Sequence, residues 1–384
     1  MPLARFSARP LCRLLLVLAS ILFLAPQGRA EPEGWPRTVT DSAGRSVVIS
    51  APPEHILLGS GFNLVALSLI DPDPVARLAG WSQDMKNDNP EIYARFVKRF
   101  PDLASVPEIG AGDGPDLNIE TILSLKADLA ILASWQVGNE SGDRAMQYLS
   151  DMGVPVIVAD FGHDPLQGTP QTMRMLGQAL GQEEKAEDFA RFYEDHIDRI
   201  RARVSASASK GPDVLFLAFP RTDTCCWAFG RDGLGAFIEL AGARNVVADG
   251  LQPFGGTIGP ETIIAANPDT LIVSGSPGAA YSSLSIGPGV AIAEARQSLE
   301  ATAAMPALAH IKAVKDRKVH AIWNFFNAVP LNVVLADAFA HWLRPDLFSD
   351  QDPSATLDEI NRRFAAVPFE GAYWVDLASD PAHK

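Results

Sequence analysis

Short apolar runs alternate along the chain with segments whose apolar residues recur every three to four positions, the periodicities of strand and helix. In the first half this pattern predicts strands over 55–58, 76–79, 128–132 and 155–158, and helices over 63–70, 90–99, 118–126 and 142–152. In the second half it predicts strands over 213–218, 270–273 and 318–322, and helices over 233–241, 260–266, 305–312 and 330–343. Strands separated by helices throughout predict an α/β fold with mainly parallel sheets. One unit occurs twice. N-I-E-T-I-L-S-L-K-A-D-L-A-I-L (118–132) and G-P-E-T-I-I-A-A-N-P-D-T-L-I-V (259–273) share the order of acid, apolar helix stripe, turn, acid and apolar strand.

Between the halves runs E-E-K-A-E-D-F-A-R-F-Y-E-D-H-I-D-R-I-R-A-R-V (183–204), with Phe189, Phe192, Tyr193, His196, Ile197 and Ile200 at helical spacing. Acids crowd its start and arginines its end, as the helix dipole favours. The expected organisation is a leader (1–30), an N-terminal α/β lobe (31–168), a linking helical segment (169–209) and a C-terminal α/β lobe (210–384). Two Rossmann-like lobes joined by one long helix form a stiff hinge.

The first thirty residues change the picture of where the chain works. Arg5, Arg9 and Arg13 precede an apolar run from Leu14 to Ala25, followed by Pro26 and the small-residue end Gly28-Arg29-Ala30. This is the layout of a secretory signal peptide, with cleavage expected after Ala30 and export of the rest. The run is shorter than the roughly 20 residues a membrane span needs. The chain carries a formal charge of −14, which argues against nucleic acid or an anionic membrane surface as partner. Beyond the leader only Cys225 and Cys226 remain, and neighbours in sequence cannot staple distant segments. They form either a vicinal disulfide or two small thiols buried at a strand end.

Several segments, in order, resemble a known family. They are V-T-D-S-A-G-R-S-V-V-I-S-A-P-P-E-H-I-L-L (39–58), the E-I-G ahead of the first repeat, A-G-A-R-N-V (241–246), the second repeat, and F-F-N-A-V-P-L-N-V-V-L-A-D-A-F-A-H-W-L-R-P-D-L-F (325–348). Together they resemble the periplasmic binding proteins of ABC importers for ferric siderophores, haem and cobalamin. The resemblance implies a soluble, non-enzymatic, monomeric protein that holds one ligand between its lobes, closes little, and serves an inner-membrane permease dimer. It also implies that Glu120 and Glu261 project from the two lobe tips and pair with permease arginines. A bare helix-dipole role accounts for either acid alone.

If strand-end loops line the cleft, they are 59–63, 81–86, 134–138 and 160–165 from the first lobe and 219–227, 274–281 and 323–327 from the second, and the candidate ligand-binding residues are Trp81, Trp135, Phe161, Arg221, Trp227, Tyr281, Phe325 and Phe326. Large flat rings suit organic chelates and macrocycles. Basic candidates are few, Arg221 and Lys86, so a strongly anionic chelate fits less well than a near-neutral siderophore, a corrinoid or haem. The leading ligand is an iron chelate of the siderophore type. Haem, cobalamin or another metal or oxyanion species is the alternative. No resident cofactor is expected.

Two rivals rank lower. Capture of a bare metal ion needs three or four convergent His, Asp or Glu side chains. Of the scattered histidines only His163 lies in a nominated loop. A secreted enzyme lacks support, since no G-x-S-x-G, H-E-x-x-H, C-x-x-C or G-x-x-x-x-G-K pattern occurs.

Overall fold

The computed structural model describes residues 34–110, 119–221, 223, 225–278 and 281–377. The expected leader and its cleavage point lie outside the described residues. Among these residues no helix is long and apolar enough to cross a membrane.

The N-terminal part opens with a hairpin of β1 (Arg37–Thr40) and β2 (Ser46–Ile49). Then β3 (Ile56–Leu58), β4 (Leu78–Trp81), β5 (Leu129–Ala133) and β6 (Val156–Ala159) form a parallel sheet in the order β4-β3-β5-β6. Every residue of β3, β5 and β6 is buried, as expected for parallel strands covered on both faces.

The C-terminal part supplies β7 (Asp213–Ala218), β8 (Trp227–Phe229), β9 (Arg244–Asn245), β10 (Gly255–Thr257), β11 (Thr270–Gly275), β12 (Gly287–Pro288), β13 (Val319–Trp323), β14 (Gly371–Ala372) and β15 (Trp374–Asp376). Its large sheet runs β10-β8-β7-β11-β13-β15, with β9 beside β7, while β12 and β14 pair separately. The central trio β7-β11-β13 is parallel and the flanking β8, β10 and β15 are antiparallel. The vicinal pair Cys225–Cys226 is disulfide-bonded, with Cys226 buried in the core beneath this sheet.

The repeated unit folds the same way twice. Helices Ile119–Ser124 and Pro260–Ala266 precede the central strands β5 and β11. Each helix gives way to a left-handed residue at the matching position, Lys126 (φ 50°) and Asn267 (φ 38°). The acid two residues later then fixes the neighbouring strand: Asp128 accepts the Glu54 and His55 amides at 2.8 and 2.9 Å, and Asp269 accepts that of Asp213 at 3.1 Å.

The predicted linking helix spans Glu183–Ser205, with Phe189, Tyr193, Ile197 and Ile200 on its buried stripe. It does not act alone. Helix Pro165–Leu180 packs along it, and the expected lobe boundary at 168 falls inside that helix. Its residues 169–180 lie in the expected linking helical segment, and it holds both Pro170, which ordinarily breaks a helix interior, and two glycines. Gly177 is required by the packing, because a Cβ there would stand 2.3 Å from that of Ala186. Arg174 clamps the pair, bonding Glu187 at 2.6 Å and Glu194 at 2.5 Å. His196 Nδ1 meets Asp337 Oδ2 at 2.7 Å, tying the long helix to helix Val333–Leu343. The helix predicted over 305–312 is a turn between helices Ile292–Ala303 and Lys312–Lys315, where Pro306 interrupts the pattern.

Direct bonds also cross between the two sheets' loops. Trp323 Nε1 donates to Asn89 Oδ1 at 2.9 Å, Asn332 Nδ2 donates to the Phe161 carbonyl at 2.9 Å, and the Gly233 amide donates to the His163 carbonyl at 3.0 Å. A paired-helix link reinforced by such bonds resists bending. Ligand binding should therefore leave the radius of gyration in small-angle scattering unchanged within error; a clear fall would show a flexible hinge.

Candidate functional site

The carboxyl ends of the parallel strands of both sheets open onto one cavity of about 350 Å³. Ligands of open α/β sheets sit at that end because the strand-to-helix loops there diverge. From the first sheet come Phe62 after β3, Asp84 and Asp88 after β4, Ser134 and Trp135 after β5, and Gly162 and His163 after β6. From the second come Phe219 after β7, Phe254 ahead of β10, Tyr281 after β11, and Asn324, Phe325 and Asn327 after β13.

The walls are aromatic and drawn from both halves. Phe62 stacks on Phe325 across the cleft, with centroids 4.8 Å apart and planes 12° apart. Tyr281 packs on Phe219 at 5.5 Å and meets Phe325 edge-on at 6.5 Å. Phe219 adopts a left-handed backbone (φ 46°), a conformation that a bulky residue holds only where its surroundings impose it. Its amide donates to the Ser274 carbonyl of β11 at 3.0 Å. On the far side Phe254 packs against the His163 ring at 5.5 Å.

One end of the cavity is acidic. Asp84, 5% exposed, accepts the Ser60 hydroxyl at 2.5 Å and the Gly61 amide at 2.6 Å. Burial pushes its carboxyl up to about 6, although the Ser60 and Gly61 bonds hold it down. Gly61 permits this close approach, since a Cβ there would stand 2.7 Å from the Ser82 carbonyl oxygen. Asp88 accepts the Tyr281 hydroxyl at 2.9 Å, a bond from one half to the other. His163 is more exposed. Its Nδ1 stands 3.2 Å from Asp160 Oδ1, and that hydrogen bond raises the imidazole above its usual range. Burial works to raise the Asp160 carboxyl, but bonds from His163, Ser134 and Gly162 leave it below the usual carboxylate range.

Of the residues nominated from sequence, Trp135, Tyr281 and Phe325 line the cavity. Trp81, Phe161 and Phe326 do not: at 1%, 3% and 1% exposure they belong to the core. Trp81 ends β4 on its inward face and stacks on Tyr93 at 5.7 Å, and Phe326 packs edge-on to Trp323 at 5.3 Å. Trp227 stands behind the wall, packed on Phe254 at 5.9 Å, so Phe254 carries the surface that Trp227 was expected to present. Arg221 is exposed and pairs with Asp223 at 3.1 Å. Lys86 pairs with Glu108 at 2.7 Å. Phe62, Asp84, Asp88, Phe219 and Phe254 were missed. All but Asp88 and Phe254 lie in loops that the sequence had nominated, so the available signal was the loop and not the residue.

Glu120 and Glu261 are exposed, each in the first turn of its helix, and neither lines the cavity. Among the described residues no group of three or more His, Cys, Asp or Glu could hold a metal ion.

The sequence pattern of the family described as "Periplasmic binding protein" matches residues 70–323. None of the curated proteins compared with the chain matches it. Among solved structures, the TroA-like periplasmic binding protein FepB of Veillonella parvula is similar over 89% of this chain and 100% of its own, with 22% identity and a TM-score of 0.79. The molybdate periplasmic binding protein MolA of Haemophilus influenzae is similar over 87% of this chain and 99% of its own, at 17% identity and a TM-score of 0.63. The periplasmic heme-binding protein RhuT of Roseiflexus sp. RS-1 is similar over 75% and 98%, at 22% identity and a TM-score of 0.52. At these identities the likeness is one of fold. The family match, reaching from the first sheet through the joining helices to β13 of the second, establishes that the chain belongs to the periplasmic binding protein family, whose members are non-enzymatic transport components.

Proposed function

We propose that the protein captures a metal chelate, foremost a ferric siderophore, in this cavity as a monomer and delivers it to the permease dimer of an ABC importer through Glu120 and Glu261. The observation that carries the reading is the cavity itself, walled by aromatic rings from both halves at the strand ends. Rigid rings supply contact area to a flat organic ligand at little conformational cost. MolA binds molybdate and RhuT binds heme, so this fold serves both small oxyanions and large macrocycles. An oxyanion calls for converging N–H donors, whereas here Asp84 and Asp88 occupy one end. A metal macrocycle is the second reading, favoured by His163: with Nδ1 turned to Asp160, Nε2 is the ring nitrogen available to an axial position on a metal.

Titration with ferric siderophores, haem and cobalamin, followed by tryptophan fluorescence, should quench emission for one class at micromolar concentration or below. Tight binding of a free divalent ion with no response to any chelate would sink the reading. Trp135→Ala, Tyr281→Ala and Phe325→Ala should each weaken binding about tenfold or more, the loss of one buried aromatic face. Trp81→Ala should instead lower stability by about 3–5 kcal/mol, as truncation of a buried Trp does. Unchanged affinity in all three wall variants would move the site elsewhere.

A further inference from the structure

The charge of the lining decides something about the cargo that aromatic walls leave open. Asp84 and Asp88 face the cavity from the first sheet's side. The basic side chains carried by neighbouring loops are engaged elsewhere, Lys86 with Glu108 and Arg221 with Asp223. Among the described residues no Lys or Arg lines the cavity, and its one basic group, His163, is held by Asp160. An anion placed here loses hydration and meets two carboxylates. A cation meets the opposite situation. Each Asp84 oxygen receives a protein donor, yet the carboxylate, with about four lone-pair sites, keeps acceptor capacity for a ligand. Phe62, Phe325 and Tyr281 line the same cavity, and aromatic rings attract positive charge through their quadrupole.

We propose that the cargo presents a positively charged group to the Asp84 end of the cavity: a pendant ammonium on a chelate, or a metal complex of net positive charge. The inference rests on the chelate-binding reading above and specifies its charge class. It makes Asp84 and Asp88 the residues that set the charge specificity, because a carboxylate separates a cation from a neutral group more strongly than an aromatic face does.

The test uses purified full-length protein at pH 7.5 and probes paired by charge. Ferric desferrioxamine B carries a free ammonium, and its N-acetylated form is the same chelate without that charge. Aquacobalamin and cyanocobalamin form a second cationic and neutral pair. Haem and a ferric tricatecholate represent anions. In whichever pair binds, the cationic member should bind about tenfold tighter or more, the size of one charge-assisted contact. Asp84→Asn should shrink that preference to within about threefold, with Asp88→Asn as the second variant if the first misfolds by circular dichroism. Equal or tighter binding of a neutral or anionic probe overturns the charge inference and leaves chelate capture standing. Binding of none of the six overturns both.

Discussion

A protein carrying Glu120→Arg and Glu261→Arg is expected to bind its ligand with parental affinity and to support no uptake in cells. Both acids are exposed, and neither touches the cavity lining, so their reversal leaves the aromatic walls and Asp84 in place. Each sits in the first turn of the helix that feeds the central strand of its sheet. β5 runs between β3 and β6, and β11 runs between β7 and β13. The two acids therefore occupy equivalent places in two similar halves, as the proposed docking on a two-subunit permease requires. The helix dipole favours an acid at either place by about 0.3–1 kcal/mol, which accounts for each singly and leaves the pairing unexplained. If the proposed docking holds, reversal of both charges replaces two attractions by two repulsions, and uptake of labelled ligand should fall at least about 100-fold. Single reversals should fall in between. Uptake within twofold of the parent would reduce the repeated unit to a folding device used twice.

That repeat was legible in the sequence because its signals are local. A Glu in the first turn, an apolar stripe, a left-handed residue at Lys126 or Asn267, and an acid that pins the next strand all lie within fifteen residues. The long helix Glu183–Ser205 was legible for the same reason, since its stripe is uninterrupted. Helix Pro165–Leu180 was legible only as part of the linking helical segment 169–209: its start at Pro165 and its pairing with the long helix, where Gly177 meets Ala186, depend on tertiary contact. The site shows the same division. Strand ends locate the loops, but which side chain of a loop faces the cavity depends on a turn of backbone that spacing does not encode. Phe325 faces the cleft and Phe326 the core, one residue apart. Trp227 and Phe254 exchange roles through pairing of β8 with β10, a contact between residues far apart in sequence.

Asp84→Asn should make the unliganded protein more stable at pH 8 and slightly less stable at pH 4. The folded carboxyl titrates near 6, above its ordinary 3.8, because burial disfavours the charged form more than the Ser60 and Gly61 bonds favour it. A carboxyl raised in this way costs stability when ionised. The cost is fully present above the folded value and is relieved as pH falls from about 6 toward 3.8. A rise from 3.8 to about 6 corresponds to about 3 kcal/mol. Asn cannot ionise, so it escapes that cost, but its amide can accept through only one oxygen and loses one of the two bonds, worth about 1 kcal/mol. The net gain at pH 8 is then about 2 kcal/mol, and at pH 4 only the lost bond remains. Thermal unfolding of the two proteins at both pH values reads this directly, and the repulsion between Asp84 and Asp88, which helps to raise the Asp84 carboxyl, is removed in the variant and forms part of the gain at pH 8. A variant that melts below the parent at pH 8 would show that the carboxylate is held favourably by its own neighbours. A gain would instead show a charge kept at a cost in the free protein. A cationic ligand removes that cost on binding, so the affinity lost by Asp84→Asn and the stability it gains have the same origin.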